Sequence, residues 1–453
     1  MASRVREAIA PIYLFLCLTL GGSAQGIWQN MILQLVGLTI ILWASWPASS
    51  RNIARPAREL LVIAMLAIAL IALQLVPLPA SVWTHLSGRA QIAGGYRILG
   101  SELPALPLSL TPYRSLDSLF GLIPPLALFV AIVRLQAYRF TWLTAALLLG
   151  SIAGVVLGAL QVTGSGNVAD SHWYLYDVTN YGFATGFFAN VNHMADLLVC
   201  TLPFLAAMGL SAQRDDRQWN VALRLAVVAC TLLIVVGIAL NRSLAVYGLA
   251  PAVLAASAAL WVPRRGPWRR WIGIVTILFG VVAIGALVTS SVERNALAAD
   301  ASVQSRQEML WTSAKALRDF LPWGSGLGSF ENVYHLYEDP LLVNGTYVSH
   351  AHNDYVELAL ETGVPGILLM ITFLGWWIRA AWRAWRYVDA GVYARAASIA
   401  SAAILVHSLV DFPLRTAAIS ALFAMCLALL VERRAPTVQV RSDLRPARHI
   451  VVG

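Results

Sequence analysis

His350-Ala351-His352-Asn353-Asp354-Tyr355-Val356-Glu357-Leu358-Ala359-Leu360-Glu361-Thr362-Gly363 leads into an apolar run that continues to about residue 378. Such a run is long enough to cross the hydrocarbon core of a bilayer as a helix. Helices suit that role because every backbone N–H and C=O is satisfied within the segment. Two histidines, an amide and three carboxylates thus stand at the mouth of a membrane span. Ionisable groups in such a place are costly and mark substrate paths or active sites.

The rest of the chain carries the same signal. Hydrophobic residues make up 58% of the 453 and charged residues 12%, about half the charged fraction of a soluble domain. Apolar runs of span length lie near 7–24, 27–46, 59–76, 116–133, 140–162, 189–210, 221–240, 244–262, 271–290, 355–378, 393–410 and 416–431. The expected fold is all-α, a polytopic membrane protein of about 12 transmembrane helices with a large outward loop containing short helices. Arg4 and Arg6 before the first run resemble a secretory signal, but a second run follows at once and the reading is an uncleaved first span. With the N-terminus inside, 23 basic residues fall on the cytoplasmic side and nine outside, in accord with the positive-inside rule. Both termini are then cytoplasmic, and the polar cluster faces the outer side of the membrane.

The net charge of +9 is spread between apolar segments rather than gathered on one face, which argues against nucleic acid as a partner. Membrane lipids are the expected surroundings. Cys17, Cys200, Cys230 and Cys426 all lie inside apolar runs without metal-ligand spacing. No cofactor and no metal site is expected, although His350 and His352 alternate.

The expected organisation is residues 1–290 as nine spans with outward loops near 77–115 and 163–188, residues 291–354 as the large loop, 355–431 as three further spans, and 432–453 as a basic cytoplasmic tail. Segment 77–115 holds five prolines, too broken for a span. Within the large loop, Ser305–Leu317 places Met309 and Ala316, and Leu310 and Leu317, at helical spacing, so an amphipathic helix is expected there. A sharp turn follows at Pro322-Trp323-Gly324-Ser325-Gly326-Leu327-Gly328. Its glycines do not make a nucleotide loop, since no Lys-Ser/Thr follows.

Within the polar cluster, Asp354 and Glu357 fit a capping box opening the tenth span. Glu361 lies one turn further on the same face and suits orienting the loop by hydrogen bonds. His352 is the candidate general base, because an imidazole titrates near neutral pH and takes a proton from an attacking hydroxyl; His350 is a candidate supporting residue. Asn190 and His193 open the sixth span, where amides cap a helix or bind sugar hydroxyls. Arg242, between two spans with almost no loop, and Arg306, on the loop helix, are outward guanidiniums suited to bidentate phosphate binding. Arg415 is a further outward arginine, though the simpler expectation for Asp411 and Arg415, in one short connection, is that they pair with each other.

These pieces together resemble a known family. Arg306 opening the loop helix, the Pro322–Phe330 turn, and His352-Asn353-x-Tyr355 followed by Glu361-x-Gly363-x-x-Gly366 resemble the signature region of the O-antigen ligase and O-antigen polymerase superfamily. Gly186-Phe187-Phe188-Ala189-Asn190-Val191-Asn192-His193 and Asn241-Arg242-Ser243 resemble it as well. The resemblance implies a metal-independent, inverting glycosyltransferase. It would move a glycan from undecaprenyl diphosphate to an acceptor hydroxyl at the periplasmic face. His352 would assist acceptor deprotonation, Arg242 and Arg306 would hold the diphosphate, and Asn353, Tyr355, Glu361, His350, Asn190 and His193 would support them. The acceptor would be lipid A core for a ligase or a growing glycan for a polymerase. A protein O-oligosaccharyltransferase or a transporter of lipid-linked glycan is the alternative.

Overall fold

The computed structural model describes residues 2–46, 53–163, 172–262, 300–341, 348–387 and 391–431. In chain order the helices are α1 (Ala2–Leu20), α2 (Ile27–Ser45), α3 (Arg55–Gln74), α4 (Ala80–Trp83), α5 (Ala90–Ile98), α6 (Pro112–Gly121), α7 (Ile123–Val133), α8 (Phe140–Thr163), α9 (Val191–Ser211), α10 (Arg217–Asn241) and α11 (Leu244–Ala259). They continue with α12 (Asp300–Phe320), α13 (Phe330–Tyr337), α14 (Asp354–Arg386), α15 (Gly391–His407) and α16 (Ala417–Val431), and a single 3-10 turn, Pro413–Arg415, precedes α16. Each expected span coincides with a helix except the ninth, at 271–290, which lies outside the described residues, as does the tail after 431. Among the described residues seven helices are long and apolar enough to cross a membrane, α6 and α7 counting as one, and α11, α15 and α16 are shorter apolar helices.

The layers follow from which helices are apolar all round. In α9, 83% of the span window is buried, against 17% for α3 and α10. Hence α9 is the central post, ringed by α8, α10, α11 and α15, while α16 packs on α7, α15 and α1. Alanines carry the tight contacts, among them Ala396, Ala400 and Ala403 on α15 and Ala418, Ala421 and Ala428 on α16. Small side chains let membrane helices approach closely, where packing rather than water drives association.

Segment 77–115 forms a clip, its two short strands pairing antiparallel with Pro77 opposite Pro107 and Leu78 opposite Leu106. Helix α12 is longer than the Ser305–Leu317 stretch. Met309, Ser313, Ala316 and Phe320 make its buried face and Leu310 lies outward. That face joins Phe330, Val333 and Leu360 in a second small core beside α14.

The glycine turn holds this loop against α14. Gly324, Gly326 and Gly328 have φ of +81°, +103° and +84°, the left-handed region open to glycine. A Cβ on Gly326 would come 2.4 Å from Ser109, and one on Gly324 2.6 Å from the Glu361 carbonyl. The turn donates from Ser325 N to Leu360 O and from Gly326 N to Glu361 O, at 3.0 and 2.8 Å. Helix α14 kinks at Gly363 (φ +61°), where Val364 N donates to Pro322 O.

Helix α14 starts one residue earlier than the sequence reading has it. Asn353, not Asp354, is the cap, its side chain accepting from Tyr355 N and Val356 N at 3.0 and 3.1 Å. The capping box is therefore not formed. Asp354 and Glu357 are released for other partners.

Candidate active site

The polar groups gather where the starts of α9 and α14, the α10–α11 elbow and the connection after α15 meet. That connection, Asp411-Phe412-Pro413-Leu414-Arg415, organises them. Asp411 and Arg415 do not pair with each other, contrary to the expectation, but turn to opposite sides with Phe412 between.

Asp411 takes the imidazole side. It is fully buried, with one oxygen 3.4 Å from His352 Nδ1, a contact of charge rather than an aligned hydrogen bond. The other oxygen accepts from the Asn192 amide and lies 3.9 Å from His407 Nε2. Beneath it His407 Nδ1 reaches Asp196 at 2.6 Å, both buried. Burial alone would raise the Asp411 carboxyl; its contact with His352 and the nearby imidazoles of His407 and His193 outweigh this and hold it well below the usual carboxylate range. Asp411 is thus an anion under His352. That favours a proton on Nδ1 and leaves Nε2, on the opposite edge of the ring, as the basic atom. His352 sits at φ +49°, and its side chain is 28% exposed. Backbone strain of this kind in a non-glycine residue is held only where surrounding contacts fix it.

Arg415 takes the carboxylate side. Its Nε lies 3.4 Å from Asp354, and Nη2 lies 3.2 Å from Glu357 and 3.5 Å from Glu361. Burial works against its charge, but the three carboxylates raise its pKa above the ordinary arginine value. Glu357 also accepts from Ala351 N at 2.9 Å and meets His350 Nδ1 at 2.9 Å. Glu361 accepts from Gly328 N and Phe330 N at 2.9 and 3.1 Å, tying the glycine turn to α14. Phe412 separates the two sides, its ring centroid 4.2 Å from His350, 5.0 Å from His352 and 5.3 Å from His193.

Arg242 is joined to this assembly through its neighbours. It ends α10 in the left-handed region at φ +61° and is exposed, not buried, with no ion pair among the described residues. Asn241 locks the elbow by donating to Ala184 O and Val191 O, both at 2.9 Å. Ser243 donates to Asn192 Oδ1 at 2.7 Å, and Asn192 is the residue bound to Asp411. A free guanidinium is therefore mounted on the network that holds His352. Arg306 lies in the first turns of α12, and its side chain is outside the described residues.

The supporting residues divide by task. Asn190 caps α9 by accepting from Asn192 N at 2.8 Å. Asn353 caps α14 and donates to Leu409 O, and the Tyr355 hydroxyl donates to Leu405 O at 2.7 Å, so they fasten α14 to the connection after α15 and to α15 itself. His193 is buried, and neither ring nitrogen has a hydrogen-bond partner among the described residues. No group of three or more His, Cys, Asp or Glu able to hold a metal ion occurs among the described residues.

Residues 228–371, about a third of the chain, match the family model described as O-antigen ligase. Over that third the chain is similar to the O-antigen ligase family, in agreement with the resemblance its motifs carry. The matched segment runs from within α10 to within α14. It takes in Arg242, Arg306, His350, His352 and Glu361, while Asp196, His407, Asp411 and Arg415 lie outside it. No curated protein matches the chain. This similarity, with the apolar helices, supports a membrane glycosyltransferase of the O-antigen ligase or polymerase type.

Proposed function

We propose that the protein transfers a glycan from undecaprenyl diphosphate to an acceptor hydroxyl at the periplasmic face, as an O-antigen ligase acting on lipid A core. The observation that carries the reading is the single network joining His352, Asp411, Asn192 and Ser243, with Arg242, unpaired among the described residues, next to Ser243. His352 Nε2 takes the proton of the acceptor hydroxyl. The freed oxygen attacks the anomeric carbon, and the bond from that carbon to the diphosphate oxygen breaks. Attack in line from the side opposite the leaving group inverts the anomeric centre. The buried Asp411 stabilises the imidazolium that forms.

Charge builds on the departing diphosphate, and fixed cations in a partly dehydrated site stabilise it. Arg242 fits that role, being fixed at the end of α10 with no carboxylate partner among the described residues. Arg306 is assigned to the same diphosphate. Arg415 is not, since three carboxylates already offset its charge. It holds the turn that presents Asp411. Twelve spans, the loop 291–354 as a cover over the sugar, inward termini and the inner membrane complete the proposal.

Extension of a lipid-linked repeat by a polymerase would use the same groups. Deleting the gene in its host and resolving the surface polysaccharide on a gel separates the two. Glycan missing from lipid A core while long chains accumulate on the lipid carrier is the ligase result. Single-repeat products in place of long chains are the polymerase result. Unchanged polysaccharide contradicts both.

A further inference from the structure

At the opposite end of α14 from His352 lies a groove of about 760 Å³ between α3 and α14, within the range of small-molecule sites, roughly 300–1,000 Å³. Its polarity is graded along the helix axis. Arg55, Arg58 and Glu59 stand in the first turns of α3, and Val62 and Leu66 follow on the same stripe, more than half exposed. Across the groove Arg379 stands level with the charged end, and Gly375 lies one turn deeper, where an added Cβ would meet nothing within 4 Å.

The charges do not cancel. Glu59 is used up holding two arginines, at 3.1 Å to Arg55 and 2.6 Å to Arg379. Arg58 is exposed and has no carboxylate partner among the described residues. No side chain caps the start of α3, so the positive end of that helix adds to the same field. The Trp376 indole donates to Pro56 O at 3.0 Å and ties the two helices together beneath the groove. Trp382 and Tyr387 are exposed further along α14, residues that favour the headgroup level of a bilayer.

We infer that this groove binds an anionic phospholipid, its phosphate against Arg58, Arg55 and Arg379 and one acyl chain along Val62, Leu66 and the bare face at Gly375. Basic pockets between membrane helices recognise anionic headgroups in this way. The inference does not depend on the transfer reaction or on His352.

The full-length protein, delipidated in detergent, is titrated with phosphatidylglycerol or phosphatidylcholine and bound lipid is counted by native mass spectrometry. Wild type is expected to retain phosphatidylglycerol in preference. Arg58→Ala is expected to weaken that retention about fivefold, the contribution of one arginine near an anionic headgroup. Gly375→Leu, which fills the chain path, is expected to weaken retention of the lipid without lowering the melting temperature in detergent alone. Equal retention of both lipids, or a phosphatidylglycerol preference unchanged in both variants, would overturn the inference. So would recovery of a polyprenyl phosphate from the groove in place of phospholipid.

Discussion

Asp411 and Arg415 stand four residues apart in one turn, yet Asp411 faces His352 at 3.4 Å while Arg415 faces Glu357 at 3.2 Å. The turn thereby splits a carboxylate from a guanidinium that would otherwise neutralise it. An anion is left under the proposed base, and a cation among the carboxylates of α14. The consequences differ for each member.

Removing the base should remove the chemistry and little else. His352→Ala is expected to lower transfer roughly 10²–10⁴-fold, the usual range for a positioned general base. Asp411→Asn keeps the shape but removes the charge that sets the imidazole tautomer, and a loss of at least ~10² is expected. Initial rates of glycan transfer by purified protein check both. Rates within twofold of wild type for Asp411→Asn would separate it from the mechanism.

At Arg242 function and folding should part company. The residue sits at φ +61°, a conformation that suits glycine better than arginine. Arg242→Gly is therefore expected to leave the melting temperature unchanged or slightly raised while transfer falls. Arg242→Lys, which keeps the charge but not the bidentate fork, should fall between. The check is melting temperature beside rate for the two variants.

Arg415 should behave in the reverse manner. Arg415→Ala strands three carboxylates, two of them buried beneath the loop, and breaking one side of a buried ion cluster costs about 3–5 kcal/mol. A large fall in thermal stability is expected. Glu361→Gln should be milder, since its amide oxygen still accepts from Gly328 N and Phe330 N. Thermal unfolding in detergent compares them.

Acid should act through Asp411. Its folded carboxyl is held below the ordinary range, so its contribution to stability is full above the unfolded value, about 3.9. That contribution is lost as pH falls through this value toward the folded one. Melting temperature measured from neutral to acid pH should decline for wild type, with a shallower decline for Asp411→Asn. Parallel curves would contradict the assignment.

How much of this was legible in the sequence depends on distance along the chain. The helices were legible because an apolar run states its own structure, and His352 because an ionisable group at a span mouth is conspicuous. The partners were not, because they come from elsewhere: Asp411 meets Asn192 219 positions away, and His407 meets Asp196 211 positions away. Asp411 and Arg415 also have the spacing of a local ion pair, which points to the wrong partner. One signal was there to be used: Asp196 and His407 are ionisable residues inside the apolar runs 189–210 and 393–410, and such residues in a membrane segment need each other. The capping error at Asp354 has a similar local cause, since Asn353 and Asp354 are both good caps and only the fold chooses between them.

The central claim is that His352, on its buried Asp411, is the base of a glycan transfer. Its most direct test is a transfer assay with purified protein, an undecaprenyl-diphosphate-linked glycan and a lipid A core acceptor, comparing wild type with His352→Ala at equal melting temperature. The account predicts product from wild type and at least a hundredfold less from the variant. Equal product from both would contradict it.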